Sequence, residues 1–208
     1  MSRLQNGKME GNNRPLTMRD LNAFINRTSE EKYKDVSSSY TVVDYNGALW
    51  DLTPISQGTA DTERIGDSLA PMKLELRGQV HGADSSNDMR IILFRWHSDT
   101  ADVAPTPSKI LQSTFTSTDL APYAPYYHDK RDLSTILWDK RICVEGSTSS
   151  SNYSVDFECK LPIRGKNVRF TANSYDGTYK IYLLVISDSG AVSHPAVTFV
   201  NRLFFRDA

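Results

Sequence analysis

Gly66-Asp67-Ser68-Leu69 is the string in this 208-residue chain that most resembles a catalytic motif. It matches the nucleophile block of a lipase and esterase family. That chemistry needs a serine on a strand-to-helix turn, activated by an aspartate and a histidine held close together. Here Ala70-Pro71 and an alternating strand pattern follow where a helix is required, and Asp188 and His194 stand six residues apart. Ser68 therefore reads as a structural turn residue, and the chain as a non-enzyme.

His81, His97, His128 and His194 are scattered, and Cys143 and Cys159 fall on separate expected strands. Zinc sites want such ligands clustered, so no metal centre follows. With no apolar leader at Met1–Asn6, the cysteines are expected as reduced, buried thiols of a protein made inside a cell. For the same reason Asn26-Arg27-Thr28 and Asn152-Tyr153-Ser154 read as plain loop sequence rather than glycan acceptors. Acidic residues gather in three loops: Asp61, Glu63 and Asp67; Asp84 and Asp88; Asp99 and Asp102. Solvated loops are the default, and calcium completed by a neighbouring subunit is the alternative. Arg95-Trp96-His97 and the run from Tyr123 to Arg131 mix aromatics with bases. That mixture suits stacking on unpaired bases, but it suits a protein–protein contact better.

The elements that must carry these residues are almost all strands. Thr17 is placed as the N-cap of a short helix over residues 16–27, with Met18, Leu21, Phe24 and Ile25 on one stripe. From Tyr40 the period changes to two. Thr41–Tyr45 closes on Asn46-Gly47, a hairpin signal from which Leu49–Leu52 would return. Met72–Val80 alternates, with Met72, Leu74, Leu76 and Val80 on one face, while Met89–Trp96 is apolar on both faces. A proline-rich stretch over 98–133 holds a helical turn at 107–112. Further strands are expected over 135–144, 153–160, 168–171, 178–187 and 196–205. There is no βαβ rhythm, so the fold class is all-β: about eight antiparallel strands in a jelly-roll sandwich. No apolar run is long enough to span a membrane.

Charge divides the chain. Residues 1–34 carry seven basic groups against four acidic ones, an excess of three, and the body of 35–208 is acidic by four. This reads as an N-terminal arm and helix (1–34) ahead of one globular domain (35–208).

Several segments resemble a known family when taken in order. Asn12-Asn13-Arg14, Thr17-Met18-Arg19, Ile25-Asn26 and Glu31-Lys32 resemble the N-terminal arm and helix of satellite necrosis virus coat proteins. The likeness continues through Ile55-Ser56-Gln57-Gly58, Arg64-Ile65-Gly66-Asp67, Leu74–Gly78, Arg90–Arg95, and Pro105-Thr106-Pro107 with Ile110-Leu111. The same block, with Glu31-Lys32-Tyr33, is similar to capsid proteins of small circular single-stranded DNA viruses. The resemblance covers residues 12–112. It implies a viral jelly roll that self-assembles, as about 60 copies, into a small icosahedral shell around a single-stranded nucleic-acid genome. In that role the chain would reside in the virion after synthesis in the host cytoplasm or nucleus. It would need no resident cofactor, interface calcium aside. The arm would face inward, with Arg3, Lys8, Arg14, Arg19 and Arg27 on the nucleic acid. A lectin-like jelly-roll binding module is the alternative.

Two expectations come from the residues themselves. Gly66 is expected at positive φ and Asp67 on backbone amides, together fixing the start of the strand at Ser68. An arm of charge +3 supplies about 180 charges in 60 copies, too few for a genome of one phosphate per nucleotide, so either the shell's inner face and small cations supply the rest, or the full arm is longer, or the shell forms empty.

Overall fold

The computed structural model describes residues 17, 30–83, 86–97, 104–112, 118–145, 153–171, 174–190 and 193–208. The chain divides into residues 1–30 and a compact unit, Glu31–Ala208. The helix expected over 16–27 lies outside the described residues, Thr17 apart.

The compact unit is built from strands β1 (Lys32–Val42), β2 (Ala48–Asp51), β3 (Ser68–His81), β4 (Ser86–Trp96), β5 (Ser134–Glu145), β6 (Ser154–Pro162), β7 (Val168–Phe170), β8 (Gly177–Thr178), β9 (Ile181–Ser187) and β10 (Ala196–Asp207). Set aside the short β7 and β8, which pair with each other beside the start of β3. The eight principal strands then pair as nested partners: β1 with β10, β2 with β9, β3 with β6, and β4 with β5, all antiparallel. The pairings β10–β3 and β9–β4 join these couples into two sheets, β1-β10-β3-β6, six-stranded once β7 and β8 are counted, and the four-stranded β2-β9-β4-β5. First with last, second with second-last, and so inward is the wrapping of a jelly roll.

Alternation puts Leu74, Leu76 and Val80 of β3, and Val197, Phe199, Leu203 and Phe205 of β10, against Ile91 and Leu93 of β4 and Leu183 and Val185 of β9. Gly78 occupies an inward position of β3 and lies opposite Phe199 on one side and Phe157 on the other. A Cβ there would meet the Phe157 ring at 2.5 Å, the Thr198 carbonyl oxygen at 2.5 Å and Phe199 Cβ at 2.8 Å. The two rings fill the missing side chain's space and carry the core outward. Trp50 meets Phe199 edge-on at 5.2 Å, and Trp138 stacks on Phe157 at 6.5 Å.

β4 and β9 are buried on both faces, as the apolar run of β4 predicts. Their second face carries Ile92, Phe94, Trp96, Leu184 and Ile186 and is covered by the β4–β5 connection. That connection contributes Ile110 and Leu111 of helix α1 (Pro107–Ile110) and its end, and Ala121 and Ala124 around a 3₁₀ turn (Thr118–Tyr123). Pro107 at the start of α1 is pre-set for a helix and loses no hydrogen bond there. No described helix is long and apolar enough to cross a membrane.

Two expectations are corrected. The turn at Asp44–Gly47 forms, with Gly47 at φ 76 and its N–H on the Asp44 carbonyl at 3.1 Å, but it closes no hairpin. Val43 N–H bonds the Pro195 carbonyl and the chain crosses from one sheet to the other, so β2 pairs with β9. The two-residue period also starts earlier than Tyr40. β1 opens at Lys32, so Lys32 and Lys34 are strand residues. β1 is an edge strand whose sequence, KYKDVSSSYTV, offers little apolar alternation to read, and such polarity protects an exposed edge.

Gly78→Ala is expected to cost about 2 kcal/mol of stability by overfilling the core between the two phenylalanines. Urea denaturation of the isolated variant checks it; a loss below about 0.5 kcal/mol would mean that β3 shifts freely away from its neighbours.

Candidate functional site

Ser68 opens β3, a strand, and no helix follows it. His194 is hydrogen-bonded through Nδ1 to Ser189 Oγ at 2.9 Å, at the end of the sandwich where Pro195 meets Val43. The string thus leads into a strand and not into a strand-to-helix turn, and what shapes it is not glycine at positive φ: Gly66 is absent from the left-handed residues. The organising side chain is Arg64, fully buried at 0% exposure. Its Nη1 donates to the Gly66 carbonyl and to Asp67 Oδ1 (3.1 Å), and its Nη2 donates to the Ser174 carbonyl at 3.1 Å. Its guanidinium lies 4.4 Å over the Phe170 ring. Asp67 therefore neutralises Arg64 instead of capping amides, while its own carbonyl receives the Phe170 N–H at 2.8 Å.

Arg64 is one of four cations buried where β1 starts, β10 ends and the β2–β3, β4–β5 and β6–β9 connections meet. Lys32, 2% exposed, donates to the Glu63 carbonyl at 3.0 Å and pairs with Asp207 at 3.0 Å. Lys180, 4% exposed, pairs with Asp51 and donates to the Tyr175 carbonyl at 2.6 Å. Arg95, 5% exposed, donates from Nη1 to the Arg164 carbonyl at 3.0 Å. Each cation ties down a loop carbonyl that no ladder satisfies. Ile65 and Tyr175 are exposed at this end, and Tyr40, Val42 and Tyr153 toward the other.

On the flank of the four-stranded sheet, the aromatic–basic run folds back on its own domain. Arg90 grips Asp139 with two hydrogen bonds (Nε to Oδ1 3.0 Å, Nη2 to Oδ2 2.7 Å) and donates to the Ala124 carbonyl at 2.6 Å. The Tyr126 hydroxyl donates to the same carboxylate at 2.5 Å, with its ring 4.9 Å from the Arg90 guanidinium. Tyr123 donates to Asp88 and lies under Arg141 at 4.9 Å. Tyr123 and Tyr126, expected at a partner contact, are thus engaged within the domain. Burial alone would raise the Asp139 carboxyl, but the hydrogen bonds from Arg90 and Tyr126 hold it below its usual value. Burial, together with its bond to Asp139, raises Tyr126.

The free face of the six-stranded sheet is polar and internally paired. Arg202 bonds Asp35 through two nitrogens (2.7 and 2.6 Å). Arg77 bonds Glu158 at 2.9 Å, Lys160 meets Glu158 at 2.8 Å, and Gln79 bonds Asp156 at 3.0 Å. A shallow groove of about 620 Å³ runs over these side chains. Its cations already face carboxylates.

The other expected site residues are placed as follows. Arg3, Lys8, Arg14, Arg19 and Arg27 lie outside the described residues, as do Asp84, Asp99 and Asp102. Glu63 accepts the Ala60 N–H at 3.1 Å. Among the described residues, no three His, Cys, Asp or Glu side chains gather as a metal group. His81 meets Thr198 Oγ1 at 3.3 Å, and His97 meets Thr135 Oγ1 at 2.8 Å. Both cysteines are free. Cys159 is buried, which pushes its thiol up to about 11, but Cys143 is exposed on β5, where a buried thiol was expected.

No family model matches the chain, and no curated protein does. Among solved structures, a chain of desmodium yellow mottle tymovirus aligns at 11% identity and TM-score 0.37, over 86% of this chain and 88% of that one. Turnip yellow mosaic virus aligns at 13% and 0.38, over 86% and 82%. The semi-empty VLP of giant freshwater prawn Macrobrachium rosenbergii nodavirus aligns at 10% and 0.39, over 100% and 94%. These scores are too low to assign a function, which has to come from the residues.

Asp139 generates a pH test. Its native pKa lies below the unfolded value, so its stabilisation is complete above the ordinary carboxyl pKa, near 4. It is lost as pH falls through the lower native value. Asp139→Asn leaves Arg90 without its anion and is expected to cost about 3 kcal/mol at neutral pH. It should also flatten the acid limb of a plot of urea stability against pH; an acid limb matching the wild type would exclude Asp139 as its source.

Proposed function

We propose that the protein is a structural coat subunit, which self-assembles into a small icosahedral shell around single-stranded nucleic acid and resides in the virion. The observation that carries this reading is the placement of its exposed apolar groups. Tyr40, Val42, Tyr153, Ile65 and Tyr175 are exposed toward the two loop-bearing ends of the jelly roll, and Val200 on the free face of the six-stranded sheet, while the β4–β5 connection closes the outer face of the other sheet. Exposed aromatics at the rims of a rigid domain suit contacts with further copies. Jelly rolls serve capsids and lectins alike, so the fold alone does not decide. The segments between residues 12 and 112 that resemble satellite virus and circular DNA virus coat proteins favour the shell.

In this reading Arg3, Lys8, Arg14, Arg19 and Arg27 contact phosphates without reading bases. Their spacing forms no bidentate array for base edges. The cations on the free face of the six-stranded sheet are paired with carboxylates, so this face does not make up the arm's shortfall of charge.

Electron microscopy of the purified full-length protein is expected to show closed, uniform particles; a stable monomer at high concentration would overturn the reading. Replacing Arg3, Lys8, Arg14 and Arg19 by Ala is expected to lower the 260/280 nm absorbance ratio of intact particles. An unchanged ratio would remove the arm as the genome-binding element. Loss of four phosphate contacts corresponds to a log–log salt slope shallower by about 3 per subunit.

A further inference from the structure

Of the four cations buried at the loop-rich end, three have a carboxylate, and Arg95 has none among the described residues. Its Nε and Nη2 are buried and meet no hydrogen-bond partner among the described residues. An uncompensated charge in the interior is costly, and burial pushes its pKa down. The β6–β7 loop passes close above it: a Cβ on Gly165 (φ 106) would lie 3.0 Å from Nη1.

Next to Gly165 in that loop, Lys166 and Asn167 line a cleft of about 310 Å³ together with Arg169 and Tyr179. Lys166 Nζ donates to the Tyr179 hydroxyl at 3.2 Å and stands 5.0 Å from the ring centroid, while the His97 ring lies 5.5 Å from that of Tyr179. Tyr179 holds φ 62, a left-handed conformation that is strained outside glycine. Lys166 and Arg169 meet no carboxylate among the described residues, unlike the ion-paired cations of the six-stranded sheet. The field is felt nearby. Burial lowers the His97 imidazole, and the charges of Arg95 and Lys166 lower it further.

We propose that this cleft binds a phosphate group, held by Lys166, Asn167, Arg169 and the Tyr179 hydroxyl, with the buried charge of Arg95 behind it. The Tyr179 oxygen accepts from Lys166, which leaves its own proton to donate. Donors from a loop, β7 and the residue after β8 line one cleft, and each can take a different oxygen of a tetrahedral oxyanion through a charge-assisted hydrogen bond. The site sits in the domain itself and does not depend on the arm or on assembly. Its ligand is either free phosphate or a phosphodiester of a single strand.

The test is thermal unfolding of the full-length protein in sodium phosphate against sodium chloride at matched ionic strength and pH 7. A rise of about 3 °C in phosphate is expected, because a ligand that binds only the folded state stabilises it. The part of the rise that exceeds the general stabilisation by phosphate salt and by the arm, both common to the two proteins, should vanish in Lys166→Ala/Arg169→Ala, both exposed positions. Lys166→Gln, which can still donate to Tyr179, gives the same reading if the double variant does not fold. Competition of a ten-residue oligothymidylate with phosphate identifies the strand as the source, and a rise unaffected by the oligonucleotide identifies free phosphate. Equal midpoints in the two salts, or an undiminished rise in the variants, would overturn the proposal.

Discussion

The absence of a side chain at Gly78 sets the spacing on which both sheets depend. Because two phenylalanines on neighbouring strands share that vacancy, β10 and β6 are held in one register on either side of β3. A slip of one residue would turn either ring out to solvent, and beside Phe157 it would set Asp156 or Glu158 in its place. Trp50 and Trp138 extend the same aromatic row toward the four-stranded sheet. An aromatic row of four large residues is thereby organised around one small one.

Where the ladders end, a different physics takes over. Loop carbonyls at the end built from the β2–β3, β4–β5 and β6–β9 connections are gathered by Lys32, Arg64, Arg95 and Lys180, long side chains that reach from strands and turns into neighbouring loops. A cation is a good staple for carbonyls because it carries several donors, and a poor one because it must be neutralised once buried. Asp207, Asp67 and Asp51 do this for three of the four. The different treatment of Arg95 separates a purely structural cation from one that leaves positive charge for the adjoining cleft.

Much of this was legible in the sequence, for identifiable reasons. Strands with one buried face announced themselves by alternation, as Met72–Val80 did. Burial of both faces of β4 followed from the unbroken apolar run Ile91–Phe94. β1 escaped because an edge strand rich in lysine and serine lacks the pattern by which strands are recognised. The hairpin at Asn46-Gly47 failed because a turn signal reports local geometry and not which partner the next strand finds. The burial of Lys32, Arg64 and Lys180 had no signal in the sequence, because it depends on loops far apart along the chain. Arg95 was nonetheless detectable, as a charge in phase with the inward residues Ile91 and Leu93. The positions of Tyr123 and Tyr126 were visible, but their partners Asp88 and Asp139 were not, since those pairings arise only once β4 and β5 align.

The nested pairing also bears on how the chain is made. β1 is completed early in synthesis, yet its one partner is β10, whose residues 196–207 come about 150 residues later. On the ribosome β1 stays an unpaired ribbon, and the β4–β5 couple is the first that can close. Folding of the domain is therefore postponed until translation of this region is nearly over. Contacts of such long sequence separation form slowly, leaving the nascent chain exposed to aggregation during that delay. A polar β1 is suited to such a wait, because a sequence of lysines and serines can remain in water without seeking the wrong neighbour.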